Sequence, residues 1–449
     1  MSNQGSLIVS VSGIRGIIGQ GLTVEAATSF AAALAAYTQG GAVVLSRDGR
    51  PSGDMLRHAV LAGLLASGCV VHDLGVAPTP TCGLAVRRLQ AAGAVQITAS
   101  HNPAPWNGLK LFGPDGRVLS AAEGKKVQES FTAGARCWTV WDHLGCLQEC
   151  RHAEEWHRER VMELVDVPRI RARQMKVFLD ANGGAGGPLG RRLLESLGCG
   201  LVCQGCDADG QFRHEPEPIA ENLRGIGPLV KQHGADLGCV LDPDADRLAL
   251  IDETGRYIGE ELTLALAVQF RLAQERGPVV VNMSTSRVVE DICRRFNCPL
   301  ERAAVGEANV AERMVQVGAV IGGEGNGGVI DPRVGFVRDP FTGMGLILNL
   351  MAETGRKLSE LANELPAYTI VKDKYDVDQG RLPRLFAALI QRWPDAKTNQ
   401  LDGLRLDWSD HWLHVRPSNT EPIVRVIAEA PRAEQAKVLC RGVAELLKR

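Results

Sequence analysis

The chain has 449 residues, 45% hydrophobic and 23% charged, ordinary globular values that leave room for about three domains or four small ones. A formal net charge of −2 and a pI near 6.6 exclude the strongly basic surface that nucleic acid or an anionic membrane would select. No apolar run reaches the ~18 residues a spanning helix needs, and "MSNQGSLIVSVSG" lacks a basic block followed by an apolar one, so a cytoplasmic location is expected.

Residues 1–137 alternate strand and helix signals. "LIVSVSGIRG" reads as a strand and turn. "TVEAATSFAAALAAYTQGG" is a helix with Thr23 as cap and a Gly-Gly stop. "AVVLSRD" (strand), a helix opening at Ser52, "CVVHDLG" (strand) and the helical "TPTCGLAVRRLQAAG" follow. "AVQITASHNPAPWNGLKLF" then runs from apolar residues straight into Ser100, His101, Asn102 and two prolines, with Lys110 beyond. Such alternation predicts a layered α/β domain.

Residues 137–156 are polar and Cys- and Trp-containing, and read as a connector. The apolar-run signature then recurs. "MKVFLDANGGAGG" and "LGCVLDPDAD" stop abruptly in Asp, Asn and Gly within an expected domain at 156–254; "PVVVNMSTS" and "AVIGGEGNGG" do so at 255–367. Ligand sites gather at the carboxyl ends of strands in open α/β sheets, so each unit presents one polar loop at such an edge. Residues 368–449 change character. "GLRLDWSDHWLHVRPSNTEPIVRVIAEA" reads as strands and turns, and a final amphipathic helix opens at Pro431, giving a smaller α+β domain.

Twelve cysteines fit reduced thiols. The groups at 146–150 and 199–206 each lack the matching second half of a zinc site.

Four clusters carry chemistry. Asp242, Asp244 and Asp246 lie two apart in "LDPDADRLALID", so an extended chain would point all three to one side, where a hard divalent cation would relieve their repulsion. Their spacing invites an EF-hand reading, with Glu253 at the twelfth position. Arg247 stands where that loop needs glycine, and the flank is strand-like, so the reading fails. Three carboxylates beside Arg247 suit a cation partnered by phosphate. Arg416, Ser418, Asn419, Thr420 and Arg425 offer guanidinium, hydroxyl and amide donors for a phosphate, or form a capped turn. In "GGEGNGGVI", glycines around Glu324 and Asn326 allow close approach of a sugar, or make a flexible surface loop. Ser100 alone would be a helix cap. Beside a carboxylate-bound cation and a phosphate cradle it reads as a nucleophile, with Lys110 stabilising charge or relaying a proton.

These motifs, in this order and over almost the whole length, resemble the α-D-phosphohexomutase family. "TASHNP" resembles its phosphoserine loop, which implies that Ser100 is phosphorylated and that His101 and Lys110 serve catalysis. "DPDADR" resembles its magnesium loop. That implies one Mg2+ per chain held by Asp242, Asp244, Asp246 and the Ser100 phosphate, with Arg247 beside it. "GGEGNGG" resembles its sugar loop (Glu324, Asn326), "RPSNTEP" its phosphate loop, and "SGIRG" the N-terminal signature that brings Arg15 to the site. The resemblance implies three similar layered α/β domains around a central cleft plus a smaller C-terminal α+β domain. It also implies a hexose phosphate as small-molecule partner, with a bisphosphorylated sugar as intermediate and activator.

"SVSGIRGIIG" and "DPDADR" look closest to the phosphoglucosamine-mutase branch, with phosphomannomutase or phosphoglucomutase activity, or a catalytically inactive sugar-phosphate binder, as alternatives. Two positions depart from the family pattern: Gly328 ends the sugar loop where many members carry histidine, and Glu307 stands where several do. No pattern in the sequence encodes an oligomeric state.

Overall fold

A computed structural model describes residues 7–134, 136–418 and 423–447. The first sheet is built from β1 (Ile8–Ser10), β2 (Gly13–Ile17), β3 (Val43–Arg47), β4 (Val71–Val76), β5 (Gly93–Ile97), β6 (Trp106–Phe112) and β7 (Leu147–Glu149), in the spatial order β1-β2-β6-β5-β3-β4-β7. β3, β4 and β5 are parallel and largely buried, with apolar residues of β3 and β5 packed into cores on both faces of the sheet. The helix Val24–Tyr37 is capped by Thr23, whose hydroxyl accepts the Ala26 N–H. The segment after 137 is more than a connector: β7 pairs in parallel with β4 and ends the sheet.

The second sheet comprises β8 (Lys176–Asp180), β9 (Gly200–Gln204), β10 (Leu237–Leu241) and β11 (Leu248–Asp252), ordered β11-β10-β8-β9. The third comprises β12 (Val279–Asn282), β13 (Leu300–Ala303), β14 (Ile321–Glu324) and β15 (Gly328–Ile330), ordered β13-β12-β14-β15. Both follow one plan. Three parallel strands are laid down, and the third turns back through a loop into an antiparallel neighbour. The four strands β3 to β6 of the first sheet repeat it, in the order β6-β5-β3-β4. The Ser100 segment, the triple-aspartate segment and the Glu324 segment are the three equivalent turns, so the repeat is carried by topology where the sequence barely shows it.

The fourth domain is an antiparallel sheet, β16 (Thr369–Asp376), β17 (Lys397–Asn399), β18 (Leu404–Asp407), β19 (Trp412–Pro417) and β20 (Ile423–Ala430), in the order β16-β20-β19-β18-β17. Helices Leu382–Arg392 and Ala433–Leu447 pack with it. The last helix opens at Ala433, two residues after the expected Pro431.

One apolar core runs without a break from the second domain into the third. Its axis is the helix Pro340–Thr354, in which Pro340 through Ala352 are all buried, as expected of a helix apolar on every face. The fourth domain keeps a core of its own. Among the described residues no helix is long and apolar enough to cross a membrane.

Candidate active site

Ser100 lies just past the end of β5, buried, in the left-handed region at φ 51°. A non-glycine residue holds that conformation only when its surroundings over-determine it. Arg50 supplies the restraint: Nη2 donates to the carbonyls of Ser100 (2.7 Å) and Asn102 (2.6 Å), and Nη1 to those of Pro103 (3.0 Å) and Trp106 (3.1 Å). Asp48 orients Arg50 through Nε (3.1 Å) and accepts the Thr98 hydroxyl (2.7 Å), whose oxygen in turn accepts the Ser100 N–H (2.8 Å). The loop is therefore tied from beneath while the Ser100 hydroxyl points away, 3.4 Å from Asp242 Oδ2 and 3.4 Å from His101 Nδ1. Burial, then Arg247 and Arg15, push His101 down to about 2, so its imidazole is neutral. Arg15, on β2, reaches the same loop through Asn102 Oδ1 (3.4 Å).

The aspartates converge by a turn rather than along an extended strand: Ala245, at φ 51°, folds the segment between β10 and β11. Carboxylate oxygens of Asp242, Asp244 and Asp246 lie within 4.8 Å of one another, and all three residues are buried. The backbone N–H groups of Asp246 (3.0 Å) and Arg247 (3.1 Å) fix Asp242 Oδ1. The Thr79 hydroxyl (2.8 Å) fixes Asp244, and Lys110 Nζ spans Asp244 (3.3 Å) and Asp246 (3.0 Å). Burial and the two neighbouring carboxylates drive Asp242 well above the usual carboxylate range. Burial alone would lower Lys110, but Asp246 and Asp244 outweigh it and keep the ammonium charged.

Asp244 Oδ1 and Asp246 Oδ1 are buried with no hydrogen-bond partner. Orphaned carboxylate oxygens are costly, and a hard divalent cation takes such ligands, so these residues fit a metal ion. Arg247 lies alongside, with Nε 3.9 Å from Asp242 and 3.7 Å from Asp246, and Nη1 3.5 Å from Glu217.

The glycine-rich segment is a buried hairpin turn, not a flexible surface loop: Glu324 pairs with Gly328 across it. Glu324 Oε1 accepts Asn282 Nδ2 (2.8 Å) and the Gly306 N–H (3.0 Å), and Oε2 accepts Arg338 Nη1 (2.6 Å). Asn326 Oδ1 is buried without a hydrogen-bond partner. Glu307, first residue of the helix Glu307–Val317, is buried and pushed above its usual value by that burial.

In the fourth domain, Arg416 on β19 stands opposite Arg425 on β20, which stands opposite Lys374 on β16. Like charges directly across a sheet repel, so this row of three cations favours an anion. Arg416 Nε donates to Asp402 Oδ2 (2.9 Å), which also accepts the Val305 N–H of the third domain (2.9 Å). Ser418 follows β19, with its N–H on the Ile423 carbonyl (2.9 Å). Asn419 and Thr420 lie outside the described residues.

Ser100, His101, Arg15, Lys110, Arg247 and the three aspartates thus form one cluster. Arg338 joins Glu324 to that cluster through Asp246. Arg416 and Arg425 sit on the separate fourth sheet. Sequence reasoning missed Arg50, Glu217, Asn282, Arg338, Lys374 and Asp402. Arg50 alone had a usable signal, because "LSRDGR" ends an apolar run in Asp-Gly as the other loops do.

Four successive segments match the models of one family: phosphoglucomutase/phosphomannomutase alpha/beta/alpha domains I (residues 7–136), II (155–255) and III (259–368), and its C-terminal domain (376–446). The chain belongs to this family, the α-D-phosphohexomutases. It is a phosphohexomutase, an enzyme that moves a phosphoryl group within a hexose phosphate.

A Methanopyrus kandleri protein named "Probable phosphoglucosamine mutase" is 35% identical over 98% of this chain and 97% of its own length. A Thermococcus kodakarensis "Phosphoglucomutase/phosphomannomutase" is 36% identical over 95% of each. The crystal structure of a phosphoglucomutase/phosphomannomutase family protein from Burkholderia thailandensis superposes with a TM-score of 0.87 at 26% identity, covering 100% of this chain and 98% of that one.

Proposed function

We propose that the enzyme interconverts glucosamine 6-phosphate and glucosamine 1-phosphate through a phosphoserine at Ser100 and a bisphosphorylated sugar. The observation that carries the serine assignment is its placement: a restrained, buried Ser100 whose hydroxyl faces three convergent carboxylates. Asp242, Asp244 and Asp246 would hold the cation, taken as Mg2+, which when bound supplies charge neutralisation at the transferring phosphoryl group.

A sugar hydroxyl oxygen attacks the seryl phosphorus, the Ser100 Oγ–P bond breaks, and the serine oxygen leaves. The proton of the attacking hydroxyl ends on the departing Ser100 oxygen, and the neutral imidazole of His101, with Nδ1 3.4 Å from Ser100 Oγ, is placed to relay it. Lys110, Arg247 and Arg15 offset negative charge in the transition state. In the second half the bisphosphorylated sugar returns its other phosphate to Ser100. Arg416, Ser418, Asn419, Thr420 and Arg425 would cradle the phosphate that is not reacting, and Glu324 and Asn326 would read the sugar. Glu324 and Asn326 can take hydroxyls or an amine of the sugar alike, and what supports glucosamine over glucose or mannose is the naming of similar proteins as probable phosphoglucosamine mutases.

The test is a magnesium-dependent mutase assay primed with the matching bisphosphorylated sugar. It compares kcat/KM for the 1-phosphates of glucosamine, glucose, mannose and N-acetylglucosamine. Glucosamine 1-phosphate is expected to lead, and S100A to lose turnover and phosphate incorporation while staying folded. A lead for mannose or glucose would keep the mechanism and replace the substrate. Full activity in S100A would overturn the nucleophile.

A further inference from the structure

Arg338 precedes the helix Pro340–Thr354 and is buried. Its guanidinium forks between loops of two domains. Nη2 donates to Asp246 Oδ2 of the acidic turn, and Nη1 to Glu324 Oε2 of the glycine-rich turn at 2.6 Å. Its backbone N–H donates to Glu307 Oε1 at 2.7 Å. The stem fills the space beside Gly328: a Cβ there would fall 2.2 Å from Arg338 Cδ and 2.8 Å from Cγ. Gly327 takes φ +84°, but Gly328 has no such left-handed backbone, so what bars a side chain at 328 is the arginine.

We propose that Arg338 is a positioning residue that ties the cation loop to the sugar loop, sharing Asp246 with the metal while holding Glu324 toward the sugar. This rests on the assignment of Asp246 to the cation and Glu324 to the sugar made above. A guanidinium bonded to Asp246 competes with the cation for that carboxylate, whereas the same guanidinium bonded to Glu324 fixes a sugar contact. Its removal therefore acts in opposite directions at the two sites. Cation binding tightens and sugar-phosphate binding loosens, whereas a merely damaged site would weaken both.

The experiment titrates the full-length enzyme with MgCl2 alone by calorimetry and measures KM for the preferred hexose 1-phosphate. R338M is expected to bind Mg2+ about tenfold tighter through the lost competing charge. Its KM should rise roughly tenfold through the lost orientation. R338K keeps a charge beside Asp246 but cannot fork, so its Mg2+ affinity should stay near that of the wild type while KM still rises.

G328A keeps the guanidinium but pushes its stem aside and so moves it, and should raise KM in the wild-type background yet add little to R338M, whose flexible side chain has no fork to misplace. Unchanged or weaker Mg2+ binding in R338M, a wild-type KM in R338K, or additive effects of G328A and R338M would each overturn the proposal. Should R338M not fold, R338K and G328A decide it. A wild type that binds no Mg2+ overturns the metal reading and this proposal with it; binding that R338M leaves unmoved overturns the proposal alone.

Discussion

At the scale of single residues, two arginines organise the centre from outside the motifs that announce it. Arg50 spends its donors on Asp48 and four loop carbonyls, a task that needs a planar fork and that a lysine's point charge cannot perform. R50K should therefore release the Ser100 loop from its left-handed turn. We expect kcat to fall about 100-fold, with the substrate's KM little changed, since on the proposed mechanism what is lost is the placement of Ser100 as nucleophile. Steady-state kinetics on R50K check this, and a kcat within twofold of wild type would refute it. Ser100 and the three aspartates were legible in the sequence because each sits in a short motif that ends an apolar run. Arg50 and Arg338 act on residues 50 and 92 positions away, a relation that no local pattern encodes.

At the scale of elements, the alternation of apolar runs and amphipathic stretches was enough to give layered α/β domains, since periodicity reports burial directly. Strand pairing was not legible. The convergence of the aspartates through a turn at Ala245, and the use of β7 as the seventh strand of the first sheet, depend on partners far along the chain.

The helix Pro340–Thr354 shows how one cap can serve several elements. Asp339 accepts the N–H groups of Phe341 (2.9 Å) and Thr342 (3.2 Å). It also receives His157 Nε2 (2.9 Å), whose Nδ1 lies 2.8 Å from the Thr81 hydroxyl of the first domain. Burial alone would raise the Asp339 carboxyl, but His157 and the Thr342 hydroxyl and N–H outweigh it and hold it below 3.8. A carboxyl lowered in the folded state stabilises at and above the ordinary carboxyl range, and that contribution disappears as pH falls through the folded value. D339A should lose the cap and leave His157 buried without its acceptor, at a cost of about 3 kcal/mol. Urea unfolding near neutral pH measures the loss. The gap between D339A and wild type should narrow in acid, and a gap that is constant or widens there would argue against the assignment.

At the scale of the whole molecule, the second and third domains share one apolar core and behave as one body, whereas the fourth is docked through polar contacts. Arg287 donates to the Trp408 carbonyl (2.9 Å) and its N–H to Glu429 (2.8 Å), Val305 N–H reaches Asp402, and Ser284 Oγ lies 2.9 Å from His414 Nδ1. Polar interfaces of this kind permit domain motion, and this one carries Arg416.

His414 makes the docking sensitive to acid. Its Nε2 is held on the Asp402 carbonyl (2.6 Å), and burial, reinforced by Arg405 and Arg416, pushes it from 6.5 down to about 4. Arg405, Arg416 and the Asp402 carbonyl belong to the fourth domain, so release relieves only the part of the depression that burial against the third domain supplies; docking is therefore at full strength above 6.5 and weakens as pH falls toward 4.

Between about pH 7.5 and 5 the radius of gyration from small-angle scattering should grow as the fourth domain releases, and KM should rise with it. The substrate phosphate also titrates in this window, so H414Q is the control: it should flatten the scattering change and leave only the substrate's own titration in KM. Identical pH profiles for H414Q and wild type would show that the fourth domain is not released through His414.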